Sequence, residues 1–307
     1  MDMLKSRQKA GEPVNKESTR PDAATWLAFT TLVFLVAANV VAVKFSNREL
    51  APFWGAAARF SAASVLFLVY AFIRRLPLPR GRALAGVLLF GILQFGLGFA
   101  LAYWALQQLP ASVGSVILAS IPLFTLMFAF LTRIERFYIR GFLGALVSIA
   151  GIAVMFGESV GTEVPIPYLA AGLATAMVFA LAAVVVKSFP KVHLATMNGL
   201  GMLIGSIILV ILSLVNNEPR IIPGSPTTWA AFLYLVLPGS VGLFGLLLFI
   251  LKRWTATAVS YQTVLSPIVA IALSYWLLGE PLTNGLYLGS ILVIAGVYIG
   301  VLASDRR

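Results

Sequence analysis

The stretch from Leu106 to Gly151 is written a second time, without a gap, from Leu251 to Gly296. Pro122 returns as Pro267, Glu135 as Glu280, Gly144 as Gly289 and Ile149-Ala150-Gly151 as Ile294-Ala295-Gly296, each pair 145 positions apart. Chance rarely keeps a proline, a glutamate and two glycines in one register. The copies are therefore read as equivalent structural units, and an internal repeat constrains the fold before any local signal does.

The repeated units are too greasy for water. Of the 307 residues 60% are apolar and the mean hydropathy is +0.96, whereas a soluble domain is nearer half apolar. About 20 apolar residues cross a bilayer as a helix, and the apolar segments fall at Trp26 to Val43, Pro52 to Ile73, Ala83 to Leu106, Ala111 to Leu131 and Ile139 to Phe156. A second set follows at Tyr168 to Val186, Leu194 to Val215, Thr228 to Leu251, Thr255 to Leu278 and Gly285 to Leu302. The expectation is an all-α integral membrane protein of ten transmembrane helices, five in residues 25–156 and five in residues 157–307. Residues 1–24 are polar, rich in Lys, Arg, Glu and Pro, and lack the apolar core of a signal peptide; they read as a disordered cytoplasmic tail.

The formal charge of +11 would suit a nucleic-acid binder only if it covered a solvated face. Here it sits in loops between apolar segments and reports topology, so no nucleic-acid partner is expected and the bilayer is. One set of helix ends carries Lys5, Arg7, Lys9, Lys16, Arg20, Arg74, Arg75, Arg80, Arg82, Arg133, Arg136, Arg140, Lys187, Lys191, Lys252, Arg253, Arg306 and Arg307; the other carries Lys44, Arg48 and Arg220. Positively charged loops stay inside, so both termini are expected in the cytoplasm of a multi-pass inner-membrane protein. Five is odd, so the second unit enters from the opposite side. Its loops agree: Arg133, Arg136 and Arg140 become Leu278, Pro281 and Gly285, while Gln107 and Gln108 become Lys252 and Arg253. Inverted repeats of this kind belong to alternating-access transporters.

The chain resembles the drug/metabolite transporter superfamily, in its EamA-like ten-helix branch. The resemblance rests on Ala38-Asn39-Val40-Val41-Ala42-Val43-Lys44 closing helix 1, Arg59 after Pro52, Ala102-Tyr103-Trp104-Ala105-Leu106 closing helix 3, Pro122 and Pro267, and Leu278-Gly279-Glu280-Pro281. It departs at Ala38, where Trp-Gly is frequent, and at Thr132-Arg133-Ile134-Glu135, where Leu-Gly-Glu is usual. The resemblance implies a central path lined by both halves and export or exchange of small metabolites such as amino acids.

Ionisable groups within spans are costly and face protein or water. Lys44 is expected to snorkel outward. Arg59 lies about seven residues into its helix, roughly 10 Å at 1.5 Å per residue, and is expected to be an ion-pair or helix-cap partner in the bundle, with direct ligation of a substrate carboxylate as the second reading. Glu135 and Glu280 are expected to cap or pair at helix ends, and no acid falls at mid-membrane, so no carboxylate proton relay is visible. Pro122 and Pro267 are hinge candidates, or static kinks, because each removes a helical hydrogen bond.

Polar side chains inside apolar spans supply the remaining substrate-binding candidates: Asn39, Gln94, Tyr261, Gln262 and Ser266, the last three clustered before Pro267. Tyr103 and Trp104 are candidates for stacking on an organic substrate, or anchors at the membrane interface. The glycines of helix 10, Gly285, Gly289, Gly296 and Gly300, permit close packing inside the bundle or across a homodimer. Cysteine is absent and His193 is the single histidine, so no metal or other cofactor is expected. An enzyme of the membrane surface would need an acid, base or nucleophile that these spans do not offer. A flippase for a lipid or lipid-linked sugar is the alternative on the same scaffold.

Overall fold

The fold was obtained as a computed structural model, which describes residues 23–132, 139–159, 164–251, 253, 259 and 262–299. Residues 1–22 of the tail, Arg133, Glu135, Arg136, Tyr261, Gly300 and the C-terminal arginines lie outside the described residues, while Ala23 and Ala24, expected in the tail, open the first helix. Among the described residues there is no strand. The helical rods are α1 (Ala23–Ser46), α2 (Pro52–Ile73), α3 (Arg82–Ala105), α4 (Ala111–Leu131), α5 (Ile139–Ser159), α6 (Ile166–Ser188), α7 (Leu194–Val215), α8 (Pro226–Leu247), α9 (Gln262–Leu278) and α10 (Asn284–Val297). Seven of them, α1 to α4 and α6 to α8, are long and apolar enough to cross a membrane, and α5, α9 and α10 supply shorter apolar stretches. A 22-residue rod such as α2 spans roughly 33 Å, matching a hydrocarbon core of about 30 Å. Large apolar side chains such as Phe72, Val215, Ile222 and Trp276 point outward, as they must where lipid replaces water.

The closest helix pairs are α2 with α7 and α5 with α10. In the first, Ser64 donates to the Gly199 carbonyl at 2.8 Å. In the second, small residues let backbones touch. A Cβ on Gly151 would lie 2.7 Å from the Gly289 carbonyl oxygen, and one on Gly296 would collide with Ser148 and the Gly144 carbonyl. Ser148 donates to Val293 O at 3.1 Å across a sequence separation of 145, so repeat-related positions meet directly. Gly289 and Gly296 are thus spent on α5 of the same chain.

The prolines act differently. α4 is interrupted at Ser120, between Ala111–Ala119 and Ile121–Leu131, with Pro122 in the first turn of the second piece. Pro267 lies inside the unbroken helix Gln262–Leu278. Helix 9 stays continuous through it: a single interior proline costs one ladder bond, and Ser266 adds one by donating to the Gln262 carbonyl at 2.7 Å.

Three helices begin without an acid in their own first turn and borrow one from afar. The Glu218 carboxylate accepts from Phe53 N and Trp54 N at 3.1 and 2.9 Å, opening α2 behind Pro52. Glu280 accepts from Ala111 N at 2.6 Å, Ser112 N at 2.9 Å and Ser112 Oγ at 2.7 Å, opening α4 behind Pro110. Glu49 accepts from Gly224 N at 2.7 Å, Ser225 N at 3.2 Å and Thr228 Oγ1 at 3.0 Å, opening α8. Each carboxylate meets orphan N–H groups at the positive end of a helix. All three sit at one end of the bundle, and each ties residues 25–156 to residues 157–307. Gly279, at φ +68°, ends α9 in the left-handed conformation and turns Glu280 back onto α4. That is the physical content of the Leu278-Gly279-Glu280-Pro281 motif.

Candidate functional site

The α-helical ladder widens to π geometry over Gly91–Gly98 in α3 and over Leu237–Gly242 in α8. Such segments turn backbone groups sideways and recur at functional sites. In α8 the local cause is Pro238, which has no N–H to give the preceding turn. Ser240 compensates by donating its hydroxyl to Leu235 O at 2.8 Å. The Gly239 carbonyl accepts from Asn39 Nδ2 at 3.0 Å and Arg59 Nη2 at 3.2 Å. A Cβ on Gly239 would collide with Asn39 Oδ1, so this close approach needs glycine.

Arg59 is 3% exposed. Besides Gly239 O, its guanidinium donates to Ser240 Oγ at 3.3 Å, Tyr103 OH at 3.3 Å and Asn39 Oδ1 at 3.4 Å. It also lies over the Phe60 and Phe99 rings, 5.0 and 5.5 Å from their centroids. Every one of these partners is neutral. Among the described residues no carboxylate bonds to Arg59, for which an ion-pair or helix-cap role in the bundle was expected; Glu49, Glu218 and Glu280 are engaged at the end of the bundle. Tyr103, expected at the interface or on substrate, is fully buried. Its backbone carbonyl accepts from Asn47 Nδ2 at 2.9 Å.

These groups form one end of a 320 Å³ cavity lined by α1, α2, α3, α4, α6, α7, α8 and α9. Asn39, Arg59, Gln94, Tyr103, Gln262, Ser266 and Pro267 all line it. Gln262 Oε1 is buried without a hydrogen-bond partner. Trp104 lies elsewhere, stacked on Tyr168 with ring centroids 4.5 Å apart, because it sits one position from Tyr103 on the helix and faces away. Pro122 is not among the lining residues. The rest of the wall is apolar, with Phe60, Phe95, Phe99, Phe179 and Phe244 supplying the aromatic share. Sequence reasoning missed these phenylalanines, which are ordinary residues in any greasy span, and the Gly239 carbonyl; Pro238-Gly239-Ser240 inside a span was the available signal.

A second, more polar cavity of 340 Å³ lies beside Glu280, lined by Lys44, Asn47, Arg48, Gln107 and Gln108 among others. Lys44 Nζ donates to Leu109 O at 3.1 Å. Leu106 borders both the chamber and this polar vestibule. Nearby in the same loop end, the Glu49 carboxyl is held down at about 2, chiefly by the Ser225 side chain and then by the N–H groups of Gly224 and Ser225.

The model of the EamA-like transporter family matches residues 24–157 and again residues 166–302. The chain belongs to the EamA-like transporter family. Among its relatives, an Escherichia coli K12 protein named "Uncharacterized inner membrane transporter YedA" is 27% identical over 260 residues, 84% of each chain. Another from the same organism, "Probable amino-acid metabolite efflux pump", is 26% identical over 275 residues, 86% of this chain and 90% of that one. A crystal structure with 18% identity superposes at a TM-score of 0.64 over 93% of this chain and 99% of the other, a likeness of fold. With its apolar helices, this EamA-like protein is a multi-pass membrane transporter.

Proposed function

We propose that this protein is a secondary transporter that moves a small organic metabolite, such as an amino acid or a close relative of one, by alternating access to the chamber around Arg59. The observation that carries the reading is the chamber itself: a space of ligand size, apolar over most of its wall, with a few polar groups converging from both halves of the chain. The halves are two five-helix units, residues 25–156 and 157–307, of opposite orientation, with residues 1–24 and both termini in the cytoplasm. Several observations support this division. The family model matches each half once; the π segments Gly91–Gly98 and Leu237–Gly242 each fall on the third helix of a half; and Ser148 meets Val293, its repeat equivalent.

In the mechanism that follows, the halves rock about the pairs α2–α7 and α5–α10, and the chamber opens first to one side and then the other. The carboxylate clasps of Glu49, Glu218 and Glu280 close the end of the bundle that the charge distribution places outside, and Leu106 bars the way from chamber to vestibule. Opening to that side breaks the clasps. The chemistry is binding and release. The amino-acid efflux activity in the name of one relative agrees with a carboxylate-bearing cargo.

The test is flux of radiolabelled amino acids and related organic acids by purified protein in liposomes, with and without a pH gradient. Saturable, competable flux of one class supports the proposal, and its response to the gradient reports coupling. Folded protein that carries none of the panel, yet scrambles a labelled lipid, assigns the scaffold to lipid translocation instead.

A further inference from the structure

We infer that the chamber selects a net monoanion: an amphipathic carboxylate with an apolar body and a neutral hydrogen-bond donor, in preference to the zwitterion of the same skeleton. The inference rests on the chamber being the transport site and names its substrate class. A guanidinium has five N–H donors. The hydrogen bonds of Arg59 use Nε, one N–H of Nη1 and both of Nη2, which leaves one Nη1 donor free. Its four acceptors are uncharged, and their distances of 3.2–3.4 Å are long beside the 2.7–2.9 Å of charge-assisted pairs. The cluster therefore holds the guanidinium in place without neutralising it. A buried charge with no counter-ion is unfavourable, and a carboxylate entering the chamber removes that penalty while gaining short bonds.

The remainder of the lining decides what the carboxylate is attached to. Among the described residues no acidic side chain lines the chamber, so an α-ammonium group would give up its water for neutral acceptors alone. Gln262 Oε1, buried and unpartnered, is satisfied equally well by a hydroxyl or amide N–H, whose desolvation costs far less than that of an ammonium. Phe60, Phe99 and Phe179 supply flat apolar walls for the body of the ligand. A 2-hydroxy acid or N-acylated amino acid with a large apolar side chain meets every feature. The free amino acid meets all but one, and it leaves the net charge of the chamber unchanged.

The experiment compares 3-phenyllactate, phenylalanine and 3-phenylpropionate as thermal stabilisers of the purified full-length protein at pH 7, with apparent affinities taken from the concentration dependence of the melting temperature. The expected order is phenyllactate, then phenylpropionate, then phenylalanine, with phenyllactate about tenfold or more tighter than phenylalanine, since an unpaired buried ammonium costs more than a factor of ten. Gln262→Leu is expected to equalise phenyllactate and phenylpropionate while both still exceed phenylalanine. Arg59→Lys, which keeps the charge but loses the fork, is expected to weaken all three. Phenylalanine binding as tightly as phenyllactate overturns the inference, and so does the absence of stabilisation by any carboxylate. The transporter reading is judged separately: phenylalanine flux in liposomes with no response to phenyllactate leaves it standing while the inference falls. Stabilisation by phenyllactate with no flux of any solute has the reverse consequence.

Discussion

Removing the Glu280 carboxylate is expected to cost more stability than any other single change at the end of the bundle. Its oxygens accept three hydrogen bonds, from Ala111 N, Ser112 N and Ser112 Oγ, at 2.6–2.9 Å. Ala111 is fully buried and Ser112 is 2% exposed, so water does not readily replace the lost acceptor. Each stranded buried donor costs about 1–3 kcal/mol, and the hydroxyl can rotate to another acceptor, which leaves two stranded N–H groups. Loss of an anion from a helix N-terminus adds about 0.3–1 kcal/mol. Glu280→Ala is therefore expected to destabilise by about 2–7 kcal/mol, and Glu280→Gln, which keeps one acceptor oxygen, by about half as much. The assay is equilibrium unfolding in mild detergent followed by tryptophan fluorescence, with wild type and both variants at one protein and detergent concentration. Glu280→Ala within about 0.5 kcal/mol of wild type, the usual scatter of surface substitutions, would refute the reasoning, because it would mean that α4 begins equally well without its distant cap.

Other outcomes follow from the same geometry. The Glu49 carboxyl is depressed from 4.5 to about 2, so its clasp contributes stability above pH 4.5 that is lost as pH falls from there towards 2; the stability gap between wild type and Glu49→Gln should be constant from pH 7 to 5 and vanish by about pH 2 on a pH-resolved melting series. Gly151→Leu places a side chain where even a Cβ meets the Gly289 carbonyl at 2.7 Å, so α5 and α10 must separate, and a melting temperature unchanged from wild type would contradict the packing described. Gly239→Ala should displace Asn39 and loosen the Arg59 cluster, weakening carboxylate binding tenfold or more with little change in expression; unaltered affinity in the thermal-shift assay would argue that the Gly239 approach is incidental.

The sequence made the repeat and nearly every rod visible because both are periodic in one dimension: apolar runs of bilayer length, and a register that survives at 145 residues. Helix starts such as Pro52, Ala111 and Leu194 coincide with the expected ones, since proline and charged loops mark them. Arg59 stood out as a costly charge in a span, yet its surroundings were misread, because its partners Ser240 and Gly239 lie about 180 positions away and one of them is a backbone carbonyl. Glu218 carries no mark of its partner in the sequence; only folding brings it to α2, across 164 positions. The π segments left no periodic trace at all, and Trp104 differs from Tyr103 in burial and partner although the two are neighbours in one motif. What escapes the sequence is pairing at long range and the direction a side chain takes on its helix.

The central claim is that one chamber is reached alternately from the two sides of the membrane. The chain has no cysteine, so Ser266→Cys, in the chamber wall, is a single reporter without background. We would treat oriented proteoliposomes with a membrane-impermeant thiol reagent, from outside only or from inside only. The account predicts labelling from each side, slowed from both by a transported solute. Labelling from one side alone, at a rate indifferent to every solute, would contradict it.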